Sequence, residues 1–183
     1  MRVISGSRKG IPLKSLAGNL TRPTSDKVKE SIFNMIGPYF DGGIVVELFG
    51  GSGSLSIESL SRGADEAYIF EKNPKACSII RENVAKCRFT DEVHIIRNDA
   101  RNAVKSLQSS PTINIDLLFI DPPYAEEKYY DLTLEIVKAG LLSNHAIIVC
   151  EHEKHLTLPE SYGEYIKTKN PIYGNSAISI YMK

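Results

Sequence analysis

The sequence predicts an α/β fold, a mostly parallel sheet with helices on both faces, closed by a C-terminal hairpin that adds one antiparallel strand. Three observations carry this prediction. Short β-branched runs alternate with stretches of helical period from residue 44 to residue 151. Glycine or proline punctuates most junctions between them. Beyond residue 160 the rhythm changes to two alternating strands around Asn170-Pro171-Ile172-Tyr173-Gly174, a hairpin signal.

Residues 44–48 (IVVEL), bounded by Gly42-Gly43 and Gly50-Gly51, read as a buried strand. Residues 54–62 carry Leu55, Ile57 and Leu60 and meet no breaker before Gly63, so they form a helix. Residues 67–71 (AYIFE) are the second strand. Asn73-Pro74 supplies a cap and a first-turn proline for a helix running to about residue 86. Residues 93–97 (VHIIR) are the third strand, and Asp99 opens a helix to about residue 107. Residues 115–120 (IDLLFI) are the fourth strand, ended by Pro122-Pro123; residues 126–142 are helical and 146–151 (AIIVCE) are the fifth strand. The hairpin strands, 164–169 and 176–182, bring the total to seven. Upstream, Val28, Ile32, Phe33 and Ile36 recur at helical spacing. A boundary near residues 37–43 separates an N-terminal extension, residues 1–40, expected as a β-hairpin and helix, from a main domain over 41–183.

Composition bounds the function. In 183 residues, 42% are hydrophobic and 24% charged, which are globular values rather than those of a disordered or fibrous chain. No run approaches the roughly 18 apolar residues of a membrane span, and the first twenty residues lack the apolar stretch of a secretory signal. Cys77, Cys87 and Cys150 form no CxxC pair, so free thiols in a reducing cytosol are expected. His152 and His155 match neither HExxH nor a zinc spacing, and no metal is expected. The formal net charge of +0 hides a split. Residues 1–40 hold seven basic and two acidic groups, leaving a body of net −5. A basic arm on an acidic body suits a polyanion touched by the arm.

Glu47-Leu-Phe-Gly-Gly-Ser-Gly53 lies between the first strand and its helix. In an open α/β sheet the ligand crevice lies beyond the carboxyl ends of the strands, where this loop falls. Glu71 ends the second strand twenty residues after Gly51, where a carboxylate can bind both ribose hydroxyls of an adenine nucleoside. Asp99 follows the third strand and can reach the adenine edge, although it also suits a helix cap. The third glycine of a dinucleotide loop would fall at position 56, which is Ser56, and Glu47 would repel a pyrophosphate. Glu47 suits instead the ammonium group and positive sulfur of S-adenosylmethionine. No GxxxxGK[ST] occurs, which excludes a triphosphate-binding P-loop.

The fourth strand ends in Asp121-Pro122-Pro123-Tyr124 on the same edge. An exocyclic base amine is a poor nucleophile because its lone pair is delocalised into the ring. Asp121 accepting one N–H and the Pro122 carbonyl accepting the other would draw the nitrogen toward tetrahedral geometry. The two prolines fix that backbone and add no competing donor. Tyr124 offers a face on which a flipped base can stack.

With these residues in view, the sequence resembles the class I S-adenosylmethionine-dependent methyltransferases (a Rossmann-like fold) and, within them, the RsmD family. That family methylates N2 of a guanine in small-subunit (16S) ribosomal RNA. The resemblance rests on MRVISGSRKG, RPTSDKVKESIFN (22–34), ELFGGSG, LSRGA, FEKN, NDA, DPPY, VCEH and YGNSAISIY, almost end to end. It implies S-adenosylmethionine contacts by Glu47, Phe49, Gly51, Gly53, Glu71, Lys72, Asp99 and Ala100, with Asp121, Pro122 and Tyr124 at the transfer site. Candidate RNA contacts are Arg8, Lys9, Arg22, Thr24, Lys27 and Lys29 on the extension, and Tyr173 on the final hairpin. The implied partner is small-subunit ribosomal RNA or the assembling subunit, with no membrane, for a cytoplasmic monomer. Where the family has D-x-F-A-G-S-G, this chain has Glu47 and Gly50. A DNA adenine-N6 or cytosine-N4 methyltransferase shares DPPY, but the chain has no added target-recognition region. A dinucleotide-dependent oxidoreductase or nucleotide-binding module is the third alternative.

Overall fold

In the computed structural model, which describes residues 1–17, 24–123 and 127–183, alternating side chains along the strands sort the apolar residues onto two faces of one sheet. The chain runs α1 (Asp26–Ile36), β1 (Ile44–Leu48), α2 (Ser54–Ser61), β2 (Glu66–Phe70), α3 (Pro74–Lys86) and β3 (Val93–Ile96). It continues through α4 (Ala103–Gln108), β4 (Ile115–Ile120), α5 (Asp131–Lys138), β5 (Leu142–Glu153), β6 (Ser161–Tyr162), β7 (Tyr165–Lys169), β8 (Ile172–Tyr173) and β9 (Ser176–Met182). The spatial order is β3-β2-β1-β4-β5-β9-β7-β6, with β8 against β9. The first five strands pair in parallel, and β9 runs against both β5 and β7.

Val45, Leu117, Phe119, Val149, Ile178 and Ile180 face α1, α2 and α3, whereas Val46, Leu118, Ile148 and Tyr181 face α4 and α5. The expected helix in the extension is present, and its apolar face is part of this core. Ile32 and Phe33 are fully buried, and the Phe33 ring lies 5.9 Å from Phe119. Residues 1–13 double back on themselves, with Val3 N–H donating to the Ile11 carbonyl at 2.9 Å and Gly10 N–H to the Val3 carbonyl at 2.8 Å. Their tip reaches the C-terminal ends of α2 and α3, where Ser7 N–H donates to the Ser61 carbonyl at 2.8 Å.

Among the described residues the sheet has nine strands rather than seven because β6 and β8 are two-residue pairings, too short to show a period. The helix expected over 126–142 is a 3₁₀ turn (Glu127–Tyr130) followed by α5, which stops at Lys138. Leu142 already pairs with Ile115, so β5 begins four residues before its apolar run. The helix expected from Asp99 is likewise a 3₁₀ turn (Ala100–Asn102) leading into α4.

Candidate functional site

The loops after β1, β2, β3, β4 and β5 share one edge because those strands are parallel. Glu47 is the fourth residue of β1 and is only 4% exposed. Its carboxylate accepts bonds from the Ser56 amide (3.1 Å) and hydroxyl (2.5 Å) at the start of α2. Burial pushes its carboxyl up to about 7 against the pull of those two bonds. Ser56, occupying the place of a dinucleotide loop's third glycine, is therefore what holds Glu47.

The loop itself is held from β2. The amides of Phe49 and Gly50 both donate to the Phe70 carbonyl, at 3.1 and 2.9 Å. Phe49 adopts a left-handed φ of 75°, a conformation that costs a non-glycine residue about 1–3 kcal/mol, and its ring meets Tyr129 edge-on at 5.1 Å. Gly50 is sterically required. A Cβ there would lie 2.3 Å from Ile69 Cγ2 and 3.1 Å from Ile80 Cδ1. Gly51 has φ 58°, and the space a Cβ would fill is open, so a ligand can approach its backbone. Its N–H donates to Glu71 at 2.9 Å, while the other Glu71 oxygen accepts the Asn73 amide at 2.8 Å. Glu71 thus joins the glycine loop to the start of α3, with exposed Lys72 beside it. Gly53 is the N-cap of α2.

Asp99 caps the turn after β3, and both its oxygens pair with Arg101 at 3.0 and 2.9 Å. Those bonds hold its carboxyl down at about 2. Its structural duty is plain, and an adenine amine would share the carboxylate with Arg101. Ala100 is buried behind it.

At the end of β4 the register Ile120↔Cys150 sets Asp121 beside Glu151 of β5. The Thr24 hydroxyl donates to Glu151 at 2.9 Å and also lies against Asp121. Burial, then the Glu151 and Glu47 charges, push Asp121 well above the usual carboxylate range. Pro122 is buried, and the Tyr130 hydroxyl donates to the Glu151 carbonyl at 2.7 Å. Tyr124 and Arg22 lie outside the described residues. Tyr173, half-buried, pairs with Ser176, which pairs in turn with Glu153 at the end of β5; it stands on the ligand edge as expected. Sequence reading did not single out Glu151, which the fold sets beside Asp121, or Tyr129, which it sets against Phe49. Glu151 within VCEH was the available signal, but its pairing with Asp121 needs the register.

Several expected RNA contacts are placed otherwise. Lys29 is fully buried: its ammonium donates to the Arg2 carbonyl (2.6 Å) and the Ser54 hydroxyl (2.9 Å) and pairs with Glu58 at 3.5 Å. Glu58 also accepts the Ile4 and Ser5 amides and the Arg62 guanidinium at 2.8 Å. Lys29 is thus a cross-brace between hairpin, α1 and α2, and no phosphate reaches it. Thr24 points into the carboxylates and not toward the outer surface of the arm. Arg8 and Lys9 stand at the hairpin tip, Arg8 donating to the Cys87 carbonyl at 2.6 Å and stacking 4.8 Å over Phe89. That tip is about 12 Å from the glycine loop, the length of α2 from its N-cap Gly53 to Ser61. Lys27 is exposed. Of the arm's seven cations, Arg2, Lys14 and Lys29 pair with Asp26, Glu82 and Glu58, which weakens the field expected from the charge split.

Residues 1–182 match the family model described as Conserved hypothetical protein 95. A Bacillus subtilis relative named "Putative rRNA methyltransferase YlbH" is 44% identical over 183 residues, spanning 100% of this chain and 99% of its own. Ribosomal RNA small subunit methyltransferase D of Haemophilus influenzae is 30% identical over 165 residues, covering 88% of this chain and 84% of that protein. A solved structure titled "Putative methyltransferase yhhF from Escherichia coli" superposes with a TM-score of 0.80 at 25% identity, covering 100% of this chain and 97% of that one.

Proposed function

Because the chain belongs to the Conserved hypothetical protein 95 family, the RsmD family, and has the class I methyltransferase fold, we propose that it transfers a methyl group from S-adenosylmethionine to the N2 amine of a guanine in small-subunit ribosomal RNA. The observation that carries this reading is Asp121-Pro122-Pro123 at the end of β4, on the same edge as the Glu47 and Glu71 carboxylates. The donor set fits that cofactor. Gly51 leaves its backbone open, Glu71 keeps lone pairs for ribose hydroxyls, and Glu47 supplies negative potential beneath the loop. When bound, S-adenosylmethionine supplies a methyl group on positively charged sulfur. Two carboxylates lining the loop would oppose a pyrophosphate, which disfavours the oxidoreductase reading.

Asp121 accepts one N–H of the amine and the Pro122 carbonyl the other, so the nitrogen lone pair turns toward the donor. One amine proton is lost as the new N–C bond forms and the methyl–sulfur bond of the donor breaks, its electron pair staying on the sulfur. Asp121, held above its usual range by burial and by Glu151, is its near acceptor. Lys27, three residues after Thr24, and Tyr173, near the end of β5, are the proposed RNA contacts beside the target base. Arg8 and Lys9 would meet a more distant segment, beyond the far end of α2.

The test is methylation of isolated small-subunit ribosomal RNA, assembled subunits and duplex DNA, with the product identified by mass spectrometry. N2-methylguanine in RNA is expected. N6-methyladenine or N4-methylcytosine in DNA would overturn the proposal.

A further inference from the structure

Asp121 is not alone at the end of β4. Leu117 and Phe119 face the α1 side of the sheet, as do Ile147 and Val149 on β5, so Asp121 and Glu151, each two residues further on, project from that same face. The residue leading into α1, Thr24, closes over them, its hydroxyl donating to Glu151 at 2.9 Å and lying against Asp121. All three residues are partly exposed, so a base can reach them. Two side-by-side carboxylates are costly to desolvate, and they suit a ligand edge that presents donors at two adjacent positions.

Guanine has that edge, with N1–H beside the N2 amine. Adenine and cytosine carry an unprotonated ring nitrogen next to their amines, and its lone pair would face a carboxylate. Resting on the guanine reading above, we propose that Glu151 is a specificity-determining residue, accepting the ring N1–H while Asp121 takes the N2 amine. The pair then selects guanine by the charge-assisted bond to N1–H and by repulsion of bases that lack it. Thr24 holds Glu151 in that position, which gives the arm a direct part in base selection.

The test uses small-subunit RNA with either guanine or 2-aminopurine at the position the wild-type protein modifies. 2-Aminopurine keeps the 2-amine but has an acceptor at N1. Wild type should prefer guanine in kcat/KM by at least about tenfold, the worth of one charge-assisted bond. Glu151→Gln can donate from its amide to an N1 acceptor, so the preference should fall at least about tenfold, with S-adenosylhomocysteine binding and melting temperature as folding controls. Glu151→Asp, which keeps the charge, should retain the preference. A Glu151→Gln protein that methylates guanine with unchanged preference overturns the inference alone. Failure of wild type to form N2-methylguanine overturns the guanine reading and the inference with it.

Discussion

Replacing Lys29 with Met tests whether this cation braces the fold or contacts RNA. The side chain is fully buried, and Met matches its length without the ammonium. The substitution strips a donor from the Arg2 carbonyl and the Ser54 hydroxyl, and one cation from Glu58. Removing one member of a buried ion pair typically costs about 3–5 kcal/mol. Glu58 keeps Arg62 and the Ile4 and Ser5 amides, so the lower end applies, about 3 kcal/mol. In a domain of this size each kcal/mol lowers the melting temperature by about 2–4 °C, which puts the expected drop near 6–12 °C. Lys27→Met, on the exposed side of α1, should melt within a degree or two of wild type. Calorimetry of the two variants reads the contrast, and RNA affinity at several salt concentrations below the transition reads the alternative. A Lys29→Met protein that melts like wild type, while the slope of log affinity against log salt flattens by about 0.7, would refute the brace.

Five more outcomes are expected. Asp121→Ala should lower kcat by about 10²–10³ while leaving S-adenosylhomocysteine affinity near wild type by titration calorimetry. Glu71→Ala should weaken cofactor binding tenfold or more in the same titration, because it removes the proposed ribose acceptor and frees the Gly51 and Asn73 amides. Glu47 titrates at about 7, so S-adenosylmethionine should bind up to about tenfold more tightly at pH 8 than at pH 6, a dependence that Glu47→Gln abolishes. The folded state holds the Glu47 proton where the unfolded chain has released it, so this group's contribution to stability falls as pH rises from about 4.5 to about 7, and Glu47→Gln should remove that slope in urea titrations. Gly50→Ala should destabilise by about 1–3 kcal/mol, and Ile69→Leu, which removes the obstructing branch, should restore most of it.

The first four strands were legible nearly to the residue because each is an apolar run bracketed by turn residues, a local signal. The start of β5 was not, since Leu142-Ser143-Asn144-His145 has no strand pattern and owes its conformation to the β4 edge. The glycine loop and Asp121-Pro122 could be read from their order along the chain, because parallel strands send successive loops to one edge. The partnership of Asp121 with Glu151 depends on the register of β4 and β5 and has no local signature. Lys29 was misread by residue type although the pattern held the warning. It stands three, four and seven residues before Ile32, Phe33 and Ile36, on the apolar face of α1. Arg8 and Lys9 are expected RNA contacts by residue type alone, and only the path of the hairpin shows them beside the C-terminal end of α3.

The N-terminal hairpin joins the body through contacts distant in sequence. Ile4 and Ser5 bind Glu58, 54 and 53 residues away; Lys14 binds Asn83 across 69 and Arg8 binds Cys87 across 79. Closing such long loops costs entropy that local elements do not incur, and the docking surface exists only after α2 and α3 have settled on β1, β2 and β3. The hairpin is therefore expected to dock after the rate-limiting barrier to folding has been crossed. Interactions absent at that barrier retard unfolding and leave folding speed nearly untouched. Residues 1–14 are then a latch: weakening it should shorten the lifetime of the native state, while the chain should still reach that state as quickly as before.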